Sequence, residues 1–210
     1  MAVQERLIAG LGNPGHDYFR TRHNAGFLLI DRLITRFGAR EERGDRSYVL
    51  WSWSDEHTKL YLMKPTTYMN LSGHAIHDFL HRQPIAADRL LIAYDDVALP
   101  LGAIRLKPSG SSGGQKGMRH IIEIMNTQDI PRLRVGIDGP GRGALPLPDF
   151  VLSPFQDEEK PLLEAVLSQA EECVEAWLKE PVHAVMGRFN GKQITPLPKH
   201  ATETDPGGES

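Results

Sequence analysis

The chain has 210 residues, 40% of them hydrophobic and 24% charged, with a formal net charge of −3 and a single cysteine, Cys173. It is long enough to bury a core without covalent staples, is not a polycation, and cannot form an internal disulfide. The longest apolar runs, Phe27 to Ile30 and Leu90 to Ala93, are far too short to span a bilayer, and the first six residues lack the layout of a secretory signal, so a cytoplasmic protein is expected.

Leu7 to Leu11 reads as a strand. Ala25 to Phe37 carries apolar residues at Phe27, Ile30, Leu33, Ile34 and Phe37, which is helical spacing. Tyr48 to Ser54 and Lys59 to Met63 read as a hairpin joined across Asp55–Thr58. Leu71 to Leu80 suggests a helix. Leu90 to Tyr94 is a continuous apolar run of the kind buried on both faces of a sheet. Gly102 to Leu106 is another strand, Gly113 to Met125 a helix opened by glycines, and Leu133 to Ile137 a further strand. Glu158 to Leu178 is a long amphipathic helix. Strands interleaved with helices predict an α/β fold, a single-domain three-layer sandwich with a twisted mixed sheet and helices on both faces. The domain is expected over residues 1–192. Residues 193–210, rich in Pro, Gly, Ser, Thr and charge, are expected to be a disordered tail.

Two glycine motifs suggest chemistry. The stretch "GLGNPG", Gly10 to Gly15, follows the first strand and fits the dinucleotide-binding spacing G-x-G-x-x-G. Such a site also needs an acidic residue at the end of a second strand about 20 residues on. Asp31 lies near that distance but falls inside the predicted helix, and Pro14 stiffens a turn whose N–H groups would have to cradle phosphate. A tight strand-to-helix turn is the plainer reading. Gly110-Ser111-Ser112-Gly113-Gly114 fits the nucleophile-elbow pattern G-x-S-x-G, but Pro108-Ser109 interrupts the strand that should run straight into it. A glycine-rich loop before a helix N-terminus fits as well, and such a loop can still bind an anion.

His23 sits just before a predicted helix and near the carboxyl end of a strand, where open α/β sheets bind ligands. Asp95 and Asp96 directly follow the buried strand and are expected to emerge on the same edge. A His and an Asp meeting there make a general-base pair, in which the carboxylate fixes the tautomer and the imidazole takes a proton from water. A helix-capping role for His23 is the alternative. Asn13 and Asn70 can donate and accept without charge; each also has a plain structural use, in a turn and as a helix cap.

In order and spacing, "GLGNPG" through Tyr18, then "TRHNAGF", "KPTTYMNLSG", "IAYDDVALPLGAIRLK", "GSSGGQKGMRHII" and "RLRVGI" resemble the bacterial peptidyl-tRNA hydrolase family over roughly residues 6 to 190. The resemblance implies a monomeric α/β sandwich without metal or organic cofactor. It implies cleavage of the ester between a peptide and the terminal ribose of tRNA, which recycles tRNA from stalled translation. It casts His23 as catalytic base and Asp95 as its partner. Asn13 and Asn70 would bind substrate and orient the attacking water, while Tyr18, Asn24, Tyr68 and Met69 line the cleft. The glycines of the first motif would then shape a turn that presents Asn13.

One departure stands out. Many relatives carry His-Asn after the glycine loop, where this chain has Gln115-Lys116. Lys116 donates hydrogen bonds but cannot accept them, and is expected to keep a contact to the tRNA end or a peptide carbonyl. Arg105, Lys107, Arg119 and Arg134 flank the same loop and are expected to meet tRNA phosphates. Glu158-Glu159 and Glu171-Glu172 read as solvated helix faces. His74, His77 and His81 have helical spacing but no acidic or Cys partner nearby, so no metal site is expected. Two rival functions stay open: an RNA-binding relative that has lost turnover, and a serine hydrolase using Ser112.

Overall fold

The apolar alternation that marks the strands also decides which face of the sheet each residue joins. In the computed structural model, which describes residues 3–143 and 145–194, seven strands form one sheet. They are β1 (Gln4–Gly10), β2 (Arg40–Glu42), β3 (Tyr48–Ser54), β4 (Thr58–Pro65), β5 (Leu90–Pro100), β6 (Ile104–Lys107) and β7 (Arg132–Asp138), in the order β2-β3-β4-β1-β5-β7-β6. The pairs β1–β4, β1–β5 and β5–β7 are parallel; β2–β3, β3–β4 and β6–β7 are antiparallel.

One face of the sheet presents Ile8, Leu62, Leu91, Ala93, Leu133 and Val135. It is covered by α1 (Ala25–Phe37), α4 (Leu147–Val151), α5 (Lys160–Lys179) and α6 (Val182–Phe189). The other presents Leu7, Ala9, Tyr61, Met63, Ile92 and Tyr94 to α2 (Ser72–Arg82) and α3 (Lys116–Met125). Neighbouring residues of one strand thus enter opposite cores, and both clusters are almost wholly closed to solvent. This is the three-layer α/β sandwich with a mixed sheet that the alternation of elements implies.

Several boundaries differ from the sequence reading, each for a visible reason. β2 is an exposed, charged edge strand with no apolar signal. α4 is short and flanked by prolines, and α6 starts right after Pro181. β5 does not end at Tyr94. It keeps pairing with β7 through Asp95 and Asp96, then shifts register before Pro100. The two carboxylates therefore lie inside the strand, at an irregularity, instead of beyond its end. Glu159 and Glu171 are not solvated. Glu159 is buried against Arg22 and Glu171 against Arg32, so their charges are matched across elements distant in sequence. At the C-terminal end, Gln193 bridges to Ala103 and the Ile194 N–H donates to the Gly102 carbonyl. The rest of the expected tail, 195–210, lies outside the described residues.

Candidate active site

The site is built where the chain leaves β1 and beside the middle of β5, where Asp95 lies. Past β1, the Leu11 N–H donates to the Ala93 carbonyl, which prolongs the pairing by one residue. The chain then turns sharply, because Gly10 lies directly against the backbone of Gly26 in the first turn of α1, with no room for a Cβ on either side. This contact presses the turn onto the start of α1. Asn24, just before that helix, clasps the turn: its Oδ1 accepts from the Asn13 N–H at 2.8 Å and its Nδ2 donates to the Asn13 carbonyl at 3.0 Å. The Asn13 side chain is oriented in turn, since its Oδ1 accepts from the Met69 N–H at 2.9 Å. That bond leaves the Asn13 Nδ2 as the group free to donate into the cleft.

His23 belongs to a tight helical turn, Arg22–Asn24, that leads into α1. Its neighbour Arg22 anchors the turn from behind. Fully buried, Arg22 forks onto both oxygens of Glu159, at 3.1 and 2.5 Å, and stacks between the rings of Phe150 and Phe155. It also donates to the Ile137 carbonyl. A buried cation held this way has little freedom, and the residue after it inherits that order.

His23 Nδ1 lies 2.8 Å from Asp95 Oδ2. The Asp95 side chain is 4% exposed and that of His23 13%. A carboxylate on Nδ1 makes that nitrogen the donor in the neutral ring and leaves Nε2 with a lone pair for the cleft. The other carboxylate oxygen, Oδ1, accepts from Gln115 Nε2 at 3.2 Å. The adjoining Asp96 pairs with Arg134 at 2.6 Å.

These groups open on a cleft of about 540 Å³. Of the expected residues, Asn13, His23, Tyr68, Met69, Asn70, Asp95, Lys116 and Arg134 line it together. Asn70 lies exposed in the turn before α2 and does not cap that helix. Asn24 is buried beneath the cleft, where it orients Asn13. Tyr18 lies in the turn after "GLGNPG". Arg105 and Arg119 are exposed, and Lys107 is half-buried. Arg105 stands directly opposite Arg134 on the paired strands β6 and β7, so the two share a face.

Sequence reasoning missed three contributors. Leu147 and Val151 of α4 form an apolar wall of the cleft; they come from a short Pro-rich stretch with no helical period. Gln115, to which the sequence alone assigns no role, caps α3 and joins its start to the Asp95 carboxylate. Ser112 also lines the cleft, and its hydroxyl accepts from the Gly114 N–H at 3.4 Å. Among the described residues, no group of three or more His, Cys, Asp or Glu side chains could hold a metal. His74 packs edge-on against His120 and His77 stacks on His81.

The fold and the site define an α/β sandwich with a carboxylate–imidazole pair opening on a cleft. Comparison with known proteins narrows this class. The family model described as peptidyl-tRNA hydrolase matches residues 7–197, and the chain belongs to that family of enzymes. It is 40% identical over 187 residues to the peptidyl-tRNA hydrolase of Desulforamulus reducens, covering 89% of each chain. It is 41% identical over 213 residues to that of Thermosynechococcus vestitus, covering 95% of this chain and all of the relative. Among solved structures, peptidyl-tRNA hydrolase from Acinetobacter baumannii superposes with a TM-score of 0.82 at 31% identity, over 92% of this chain and 98% of the other. A complex of peptidyl-tRNA hydrolase with N-propanol gives 0.83 at 32% identity, over 90% and 96%. No helix among the described residues is long and apolar enough to cross a membrane.

Proposed function

We propose that this enzyme, acting as a cytoplasmic monomer, hydrolyses the ester between peptide and tRNA with water activated by His23 and Asp95. The 2.8 Å contact between His23 Nδ1 and Asp95 Oδ2 carries the reading. Asp95 holds the ring in the tautomer whose Nε2 can take a proton, and its charge stabilises the imidazolium that results. An ester to ribose is already more electrophilic than an amide, so a general base suffices and neither a nucleophilic side chain nor a metal is called for. The donor on Asn13 and the amide of Asn70 supply neutral contacts for the water and the peptide. Lys116, on the cleft wall, offers its ammonium to a carbonyl or to the tRNA end.

The cleft also accounts for selectivity. A blocked peptide amine enters a space lined by Asn13, Tyr68 and Leu147 without losing a charge's hydration, whereas a free aminoacyl ammonium would lose it and meet Lys116 as well. Arg105 and Lys107 on β6, with Arg119 on α3, form the flank for the tRNA backbone, where phosphate contacts position the substrate and carry no sequence information.

The test is release of tRNA from N-acetyl-aminoacyl-tRNA by the parent and by His23→Ala. The variant is expected to lose about 10²-fold or more in kcat, the usual scale of general-base work. Equal turnover by the two would remove His23 from the chemistry. Binding of tRNA without turnover by the parent would favour the non-catalytic relative. Selectivity is checked in the same assay: free aminoacyl-tRNA cleaved as fast as its N-acetylated form would rule out exclusion by the neutral cleft.

A further inference from the structure

We infer that Gln115 is a positioning residue for the His23–Asp95 pair, locking the Asp95 carboxylate from the side opposite the imidazole. The inference rests on the catalytic role proposed for that pair and extends it to the residue that caps α3.

All three polar contacts of the Gln115 carboxamide are used. Its Oε1 accepts from the Met118 N–H at 2.7 Å and so caps α3. This bond fixes which end of the amide is nitrogen, because only the oxygen can accept an N–H. The Nε2 then carries two hydrogens. One points to Asp95 Oδ1 at 3.2 Å and the other to Met69 Sδ at 3.0 Å. Asp95 is therefore held at both oxygens, by His23 at Oδ2 and by Gln115 at Oδ1. A carboxylate held at one oxygen can pivot about its Cβ–Cγ bond; one held at both cannot. The Met69 backbone N–H is in turn bound by Asn13, and Asn13 by Asn24, the residue after His23. The contacts close a ring through His23, Asp95, Gln115, Met69, Asn13 and Asn24. Each member is tied at two points, and Gln115 is the only one drawn from the exposed glycine loop. Gln115 thus transmits the position of that loop, and of the α3 N-terminus, to the catalytic pair.

The closing experiment measures steady-state hydrolysis of N-acetyl-aminoacyl-tRNA by the full chain, its Gln115→Asn and Gln115→Glu variants, and His23→Ala. Asparagine keeps a good helix-capping acceptor but is one methylene too short to reach Asp95. Glutamate keeps the acceptor for Met118 and sets a second carboxylate against Oδ1. The expected result is a fall in kcat of about tenfold for Gln115→Asn and more for Gln115→Glu, the scale of a small misplacement of a catalytic group. KM should stay within about twofold in both and the melting temperature of Gln115→Asn should match the parent, because the cap survives. If Gln115→Asn melts lower, Gln115→Glu, which keeps the full-length acceptor, decides. A kcat for both variants within twofold of the parent, or a loss confined to KM, overturns the inference even where His23→Ala is inactive. Full activity in His23→Ala overturns the catalytic reading, and the role of Gln115 falls with it.

Discussion

The turn from Gly10 to Gly15 and the loop from Gly110 to Gly114 both bring glycines to the cleft, but they use them for opposite reasons. In the first, the spaces beside Gly10 and Gly12 are already filled, Gly10 by the backbone of Gly26 and Gly12 by the Phe27 ring. In the second, a Cβ on Gly110 or Gly114 would meet nothing within 4 Å; there the backbone needs φ of +132° and +90°. The first turn is held from both sides by helix and strand. The second is held from beneath, where buried Arg132 gathers the carbonyls of Gly110, Ser111, Gln128 and Ile130, and at its end by the Gln115 cap. One glycine motif is a packing device that aims Asn13. The other is a conformational device whose outer face is left open. A pattern of G-x-G spacing does not distinguish these uses.

The contrast is easiest to break at Gly26. A methyl group there would press on the Ala93 carbonyl and on the backbone of Leu11, none of which can turn aside without disrupting the bond between them. Gly26→Ala is expected to cost about 3 kcal/mol, the upper part of the overpacking range, read as a lower urea midpoint at unchanged m. A cost under about 1 kcal/mol would show that the turn is not held by this contact. Gly114→Ala meets no neighbour, so only its backbone angle resists. It should cost about 1 kcal/mol and leave the Gly26 contact and the His23–Asp95 distance as they are. If Gly114→Ala proves the more damaging of the two, the roles assigned to the loops are reversed.

Much of this site was legible in the chain itself, and the rest was hidden for definite reasons. Leu90 to Tyr94 announced a central strand because it is apolar on both faces, and Ala25 to Phe37 announced α1 by its period. His23, Asp95 and Asn13 stand out by position, Met69 only by motif resemblance, and the structure brings the four to one cleft. What the chain could not reveal depends on pairings distant in sequence. The buried Glu159 and Glu171 look like surface charges until Arg22 and Arg32 arrive from more than a hundred residues away. β5 passes Tyr94 because β7 is there to pair with it, and no local signal records that partner. Gln115 carries no role in the sequence because its bond to Asp95 joins the α3 N-terminus to a strand 20 residues away.

The smallest effect sharpens the comparison from behind the open loop, where α3 packs on α2. His120 Nδ1 accepts from the Gly73 N–H at 2.9 Å, so this nitrogen must be unprotonated in the folded chain. Burial holds the imidazole below its ordinary pKa; the adjacent His74 pushes the same way, and Glu123 opposes them. The unfolded chain therefore binds a proton at higher pH than the folded one, and stability is lost as pH falls from about 6.5, the free imidazole value. His120→Gln keeps an acceptor for Gly73 and removes the titration. The melting temperature of the parent should drop away from that of the variant between about pH 7 and pH 5. Parallel curves over that range would mean that the α2–α3 contact absorbs the proton without cost. The open loop would then rest on Arg132 and the Gln115 cap alone.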